Sequence, residues 1–150
     1  MAVHPGHRTD LIEWVYLNKD CLAQHEMIAA GVFADCLKDV LNQPVTTLSC
    51  PRYGGHREME KMIRENKIDL FLCFGNPGKT SPEFPGAGRL IDAATEHDIM
   101  TGCNQQTISV LTTYLKSITI EKLTGNSVSK IASLRLNDIH PEIMPMTATA

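Results

Sequence analysis

Short apolar runs alternate along this chain with segments in which apolar residues recur every three or four positions. That alternation is the mark of strands following helices. Ala2 to His4 reads as a short strand, and Thr9 to Cys21 as a helix with Leu11, Trp14, Val15 and Leu22 near one face. Met27 to Ala30 is a small strand stopped by Gly31, and Phe33 to Asn42 is a helix that turns Leu37 and Leu41 inward. Val45 to Leu48 is β-rich, and the helix from His56 to Asn66 carries Met59, Met62 and Ile63 on its core side. Ile68 to Phe74 is almost unbroken apolar sequence, as expected of a central parallel strand covered on both faces. A long glycine and proline loop follows from Gly75 to Pro82, then a helix from Gly88 to His97, a strand from Ile99 to Cys103 and a helix from Gln106 to Lys116. Repeated βα units imply right-handed crossovers, a parallel sheet and a three-layer α/β domain.

Composition narrows the field of functions. The 150 residues suit one domain, with 43% hydrophobic and 21% charged residues and a formal net charge of -3. No basic field for nucleic acid is present, no apolar run reaches the length of a membrane span, and no signal peptide is visible. The five cysteines, Cys21, Cys36, Cys50, Cys73 and Cys103, are scattered without CxxC pairs. That pattern fits reduced thiols in a cytoplasm, with no metal site and no cofactor. Cys50 and Cys103 are expected to be buried and inert, and Trp14 to be a packing anchor.

In an open parallel sheet, ligands bind beyond the carboxyl ends of the strands. His4, His7 and Arg8 follow the first strand, and Gly31, Val32 and Phe33 follow the second. After the third come Ser49, Cys50, Gly54, Gly55, His56 and Arg57. The fourth gives Gly75, Asn76 and Pro77, with Glu83 further along the loop, and the fifth gives Cys103 and Asn104. Paired glycines let the backbone turn sharply beside a ligand. An imidazole next to them can move a proton near neutral pH, and a guanidinium can hold an anion.

At these strand ends the chain resembles the methylglyoxal synthase family over roughly residues 2 to 112. The family's histidine, aspartate, two variable residues and lysine correspond to His4-Pro5-Gly6-His7-Arg8. Its glycine-threonine-threonine-glycine loop is Gly31-Val32-Phe33-Ala34, and its serine-glycine-proline segment leading to glycine-glycine-aspartate is Ser49-Cys50-Pro51 and then Gly54-Gly55-His56. Phe74-Gly75-Asn76-Pro77 stands for phenylalanine-tryptophan-aspartate-proline. Pro82-Glu83 and then Gly86 stand for proline-histidine and a later aspartate, and Cys103-Asn104 for threonine-asparagine. The resemblance implies a five-stranded sheet in the order 3-2-1-4-5 and a homo-hexamer. It also implies a site in which an aspartate takes a carbon-bound proton from dihydroxyacetone phosphate while the threonine loop and lysine grip the phosphate.

The glycine and proline skeleton is kept, and the chemistry is changed. His56 occupies the base position, with His4, Asn76 and Glu83 as its candidate catalytic companions. Arg8, Gly31, Ser49, Cys50, Gly54, Gly55, Arg57 and Asn104 are the candidate binding residues. Val32 and Phe33 remove the phosphate-holding hydroxyls, and Gly86 removes an acid. The first reading is therefore lyase-type acid/base chemistry by His56 on another small carbonyl or carboxylate metabolite. The alternative is a non-catalytic module that binds or senses a small molecule, and authentic methylglyoxal synthesis ranks last. Residues 1–116 are read as the domain. Residues 117–150 are read as an extension packed on it or on a neighbouring subunit, with a loose tail from about residue 144.

Overall fold

The computed structural model describes residues 1–80 and 87–124. Five parallel strands alternate with helices. They are β1 (Ala2–Val3), α1 (Arg8–Leu17), α2 (Lys19–Leu22), β2 (Met27–Ala30), α3 (Val32–Leu41), β3 (Val45–Leu48), α4 (Gly55–Arg64), β4 (Leu70–Phe74), α5 (Gly88–Glu96), β5 (Met100–Gly102) and α6 (Gln105–Thr124). Short 3-10 turns, Pro5–His7 and Pro51–Tyr53, precede α1 and α4.

β4 shows why the sheet has two covered faces. Its alternate residues divide between two hydrophobic clusters. Leu72 and Phe74 join Leu11, Val15, Leu37 and Ile108 from α1, α3 and α6. Phe71 and Cys73 join Met59, Ile63, Leu90 and Ala94 from α4 and α5. Such an environment also fixes the chemistry of Cys73, whose thiol is pushed up to about 12, first by burial and then by the neighbouring Cys103.

The strands pair as two ladders, β1-β4-β5 and β2-β3. Ala2 faces Cys73, Leu70 faces Met100, and Met27 faces Val45. The single sheet expected from the resemblance needs a further ladder between β2 and β1, which is not formed. The Met1 amino nitrogen donates to the Ile28 carbonyl at 2.6 Å across that junction. A strand of two residues has too few backbone groups to sustain ladders on both sides, so β1 spends them on β4.

Two helices also differ from expectation. The first breaks at Asn18, whose amide donates to the Trp14 carbonyl at 2.7 Å, so α2 follows as a separate turn. The last runs unbroken across the expected 116/117 boundary, and its buried Thr119 hydroxyl lies 3.5 Å from Cys21 Sγ and 3.3 Å from His25 Nε2. Residues 125–150, including His140 and the expected tail, lie outside the described residues, and no described helix is long and apolar enough to cross a membrane.

Trp14 ties α1 to α6 and β4. Its indole N–H donates to Thr112 Oγ1 at 3.0 Å, that hydroxyl donates to the Ile108 carbonyl, and its ring lies 5.5 Å from that of Phe74. Trp14→Phe should cost about 1–2 kcal/mol in urea denaturation through the lost hydrogen bond and ring area. Thr112→Val should have a similar effect, and the double variant should lose less than the two separate losses combined. Full additivity would show that the pair is not coupled.

Candidate functional site

The site grows from a tight junction between the ends of β2 and β3. The Gly31 N–H donates to the Leu48 carbonyl at 3.0 Å, and Gly31 holds φ +60°. A Cβ there would stand 3.2 Å from Cys50 Cα, so the start of α3 and the segment after β3 close on each other. The 3-10 turn Pro51–Tyr53 then ends at Gly54, with φ +107°. Gly55 opens α4 so close to β3 that a Cβ would overlap the Ser49 carbonyl. His56 is thus fixed as the second residue of α4, facing back toward the strand ends.

His56 is half-buried, and burial pushes its imidazole below the usual 6.5. A ring of this kind stays neutral at pH 7 and is able to accept a proton. It lines a cleft of about 280 Å³ together with Arg8, Cys50, Gly55, Val32 and Phe33, with Met59 and Leu90 at its base. The Arg8 guanidinium lies over the Phe33 ring, 5.4 Å from its centre, in cation-π geometry. Two guanidinium groups, Arg8 and Arg52, and one neutral base thus share an otherwise largely apolar wall.

Ser49 is used differently. Its N–H donates to Glu58 Oε2 at 2.9 Å and its hydroxyl to Oε1 at 2.5 Å. These bonds hold the Glu58 carboxyl below the usual range, the side-chain bond contributing most. A carboxylate of the protein thus takes the donors that an anionic ligand would need.

The other candidates do not line this cleft. His4 ends β1, accepting from the Gly6 N–H at 3.3 Å, with its ring 6.2 Å from that of His7. His7 is engaged with Asp10 at 2.8 Å. Asn76 Oδ1 accepts from the Gly78 N–H at 2.9 Å, and Asn104 Oδ1 accepts from the Thr107 N–H and hydroxyl at the start of α6. Gly54 and Arg57 face a second cleft on the other side of His56. Glu83 and Gly86 lie outside the described residues.

Two expectations need correction or completion. Cys50, expected to be buried, is exposed at the cleft, because the close approach of Gly31 to its backbone leaves its side chain outside the core. Cys103, also expected to be buried, is half-buried, and that burial raises its thiol. Glu58 and Arg89 escaped the sequence reading. An acid in the first turn after paired glycines is the only local signal for the former, and the latter reaches the site only through the packing of α5 on α4.

No family model matches the chain. Methylglyoxal synthase of Yersinia enterocolitica is 32% identical over 111 residues, covering 74% of this chain and 73% of that protein. Methylglyoxal synthase of Pseudoalteromonas atlantica is 27% identical over 113 residues, 75% of this chain and 84% of that one. Among solved structures, methylglyoxal synthase from Elizabethkingia anophelis NUHP1 matches with a TM-score of 0.68 at 22% identity, over 74% of this chain and 73% of that chain.

The paired glycines give a sharp test of the junction. Gly→Ala within the first turn of a helix ordinarily stabilises, yet Gly55→Ala should cost more than about 2 kcal/mol because backbone, not a flexible side chain, meets the new methyl. Gly54→Ala meets nothing within 4 Å and should cost only the left-handed strain, about 1 kcal/mol. Equal losses in denaturant unfolding would contradict this geometry.

Proposed function

Because this chain belongs to the methylglyoxal synthase family, we propose that it is a lyase-type enzyme acting on a small anionic carbonyl compound other than dihydroxyacetone phosphate. The observation that carries the reading is the half-buried, neutral His56 in one cleft with Arg8. His56 removes a proton from the carbon next to the carbonyl. The electron pair left behind forms an enolate, which expels an oxygen leaving group from the adjacent carbon. The imidazolium then returns its proton to that group, and His56 is restored. Arg8 holds the anionic end of the substrate, and the walls of Val32 and Phe33 take an apolar carbon segment. His4 and Asn76 stand at neighbouring strand ends, where they would meet the ligand's outer oxygens, with Glu83 as a further companion. Gly31, Ser49 and Asn104 are part of the same proposed rim.

The change of substrate rests on the phosphate loop. Val32 is 71% exposed and contributes no hydroxyl, and both Ser49 donors are committed to Glu58. The same observation favours a second reading, in which the cleft binds a metabolite without turnover. The homo-hexamer and the order 3-2-1-4-5 across the two ladders belong to the proposal as what the family resemblance implies, and the reduced cytoplasmic setting as what the scattered cysteines imply.

Thermal-shift screening against small carboxylates, keto acids and sugar phosphates should find a stabilising ligand. If the protein is an enzyme, His56→Ala should lower turnover of that compound by at least about 100-fold with the fold intact. Arg8→Ala should chiefly raise KM. Effects of both changes on affinity alone would favour the binding module. Robust methylglyoxal release from dihydroxyacetone phosphate, lost in His56→Ala, would contradict the altered substrate.

A further inference from the structure

A second cleft, of about 490 Å³, lies on the far side of His56 between the first turns of α4 and α5. Three arginines from three elements line it: Arg52 from the 3-10 turn, Arg57 from α4 and Arg89 from α5. This concentration occurs in a chain whose formal net charge is -3. Among the described residues, Glu60 is the one carboxylate on the wall, and it is already engaged. Arg64 donates to it at 3.2 and 3.3 Å, and Arg89 stands 3.9 Å away. Among the described residues, no carboxylate pairs with Arg52 or Arg57. Guanidinium groups gathered in this way repel one another unless an anion joins them, and their planar forks match the oxygens of phosphate. The exposed Tyr53 ring gives the cleft an apolar flank.

We propose that this cleft is a binding site for a phosphate monoester, held by Arg52, Arg57 and Arg89. It adjoins the cleft that holds Arg8, sharing Arg52, Tyr53 and His56 with it, and Arg57 and Arg89 line it alone. The inference does not depend on turnover at His56, since it concerns binding by Arg52, Arg57 and Arg89. Its volume leaves room for a small organic group beyond the phosphate, lying against Tyr53.

Calorimetric titration of the purified chain with inorganic phosphate and glycerol 3-phosphate tests it, with succinate as the dicarboxylate comparison. Both phosphates should bind, more weakly as sodium chloride is added. Arg52→Ala, Arg57→Ala and Arg89→Ala should each lower affinity about tenfold, the scale of one charged hydrogen-bonded contact. The triple variant should abolish binding, and Arg8→Ala should leave it unchanged. All three arginines are exposed, so the variants are expected to fold, which circular dichroism checks. Absence of binding at millimolar phosphate, full binding by the triple variant, loss in Arg8→Ala instead, or tighter binding of succinate would each overturn the proposal.

Discussion

The start of α4 lies against the end of β3 so closely that only a glycine fits at position 55, where any side chain would overlap the Ser49 carbonyl. Much of the site depends on that approach. It fixes His56 one residue later, at the wall between two clefts, and it carries Glu58 to the Ser49 donors. Gly31 makes the matching approach from β2 toward Cys50, so the ends of the two strands form one rigid junction. A junction that tight can fix a side chain without help from a long loop, which is the economy of building sites at strand ends.

On this frame the polar chemistry has been redistributed. The loop after β2 presents Val32 and Phe33 where the family resemblance implies hydroxyls, and the Phe33 ring supports the Arg8 guanidinium. Positive charge has meanwhile collected across His56, on Arg52, Arg57 and Arg89. The Glu58 carboxylate satisfies the Ser49 donors internally, which keeps the strand end ordered with no ligand present. The frame is thus inherited, and the groups that would choose a ligand are this chain's own.

Local sequence made much of this legible. The apolar runs at Met27 to Ala30 and Val45 to Leu48 give β2 and β3 their observed bounds, and the unbroken run ending at Phe74 marks the strand buried on both faces. Paired glycines followed by histidine pointed to the junction. What stayed hidden depends on contacts between distant residues. The break at Asn18 comes from a side chain returning to the Trp14 carbonyl, against a helical periodicity that continues past it. The missing β2–β1 ladder reflects which neighbour a two-residue strand pairs with, which periodicity does not encode. The full length of α6 depends on Ile118 and Thr119 finding cover on the domain, which the helical run from Gln106 to Lys116 does not encode. Arg89 joins the site only through the packing of α5 beside α4.

The central claim is that His56 stands neutral in its cleft at physiological pH, as a proton acceptor must. Burial disfavours the imidazolium, so the folded protein should bind that proton only below the pH at which an exposed imidazole would. An NMR titration of the ring resonances, assigned by their loss in His56→Gln, measures this directly. The account predicts a midpoint below 6.5 and a neutral ring at pH 7. A midpoint at or above 6.5 would contradict it.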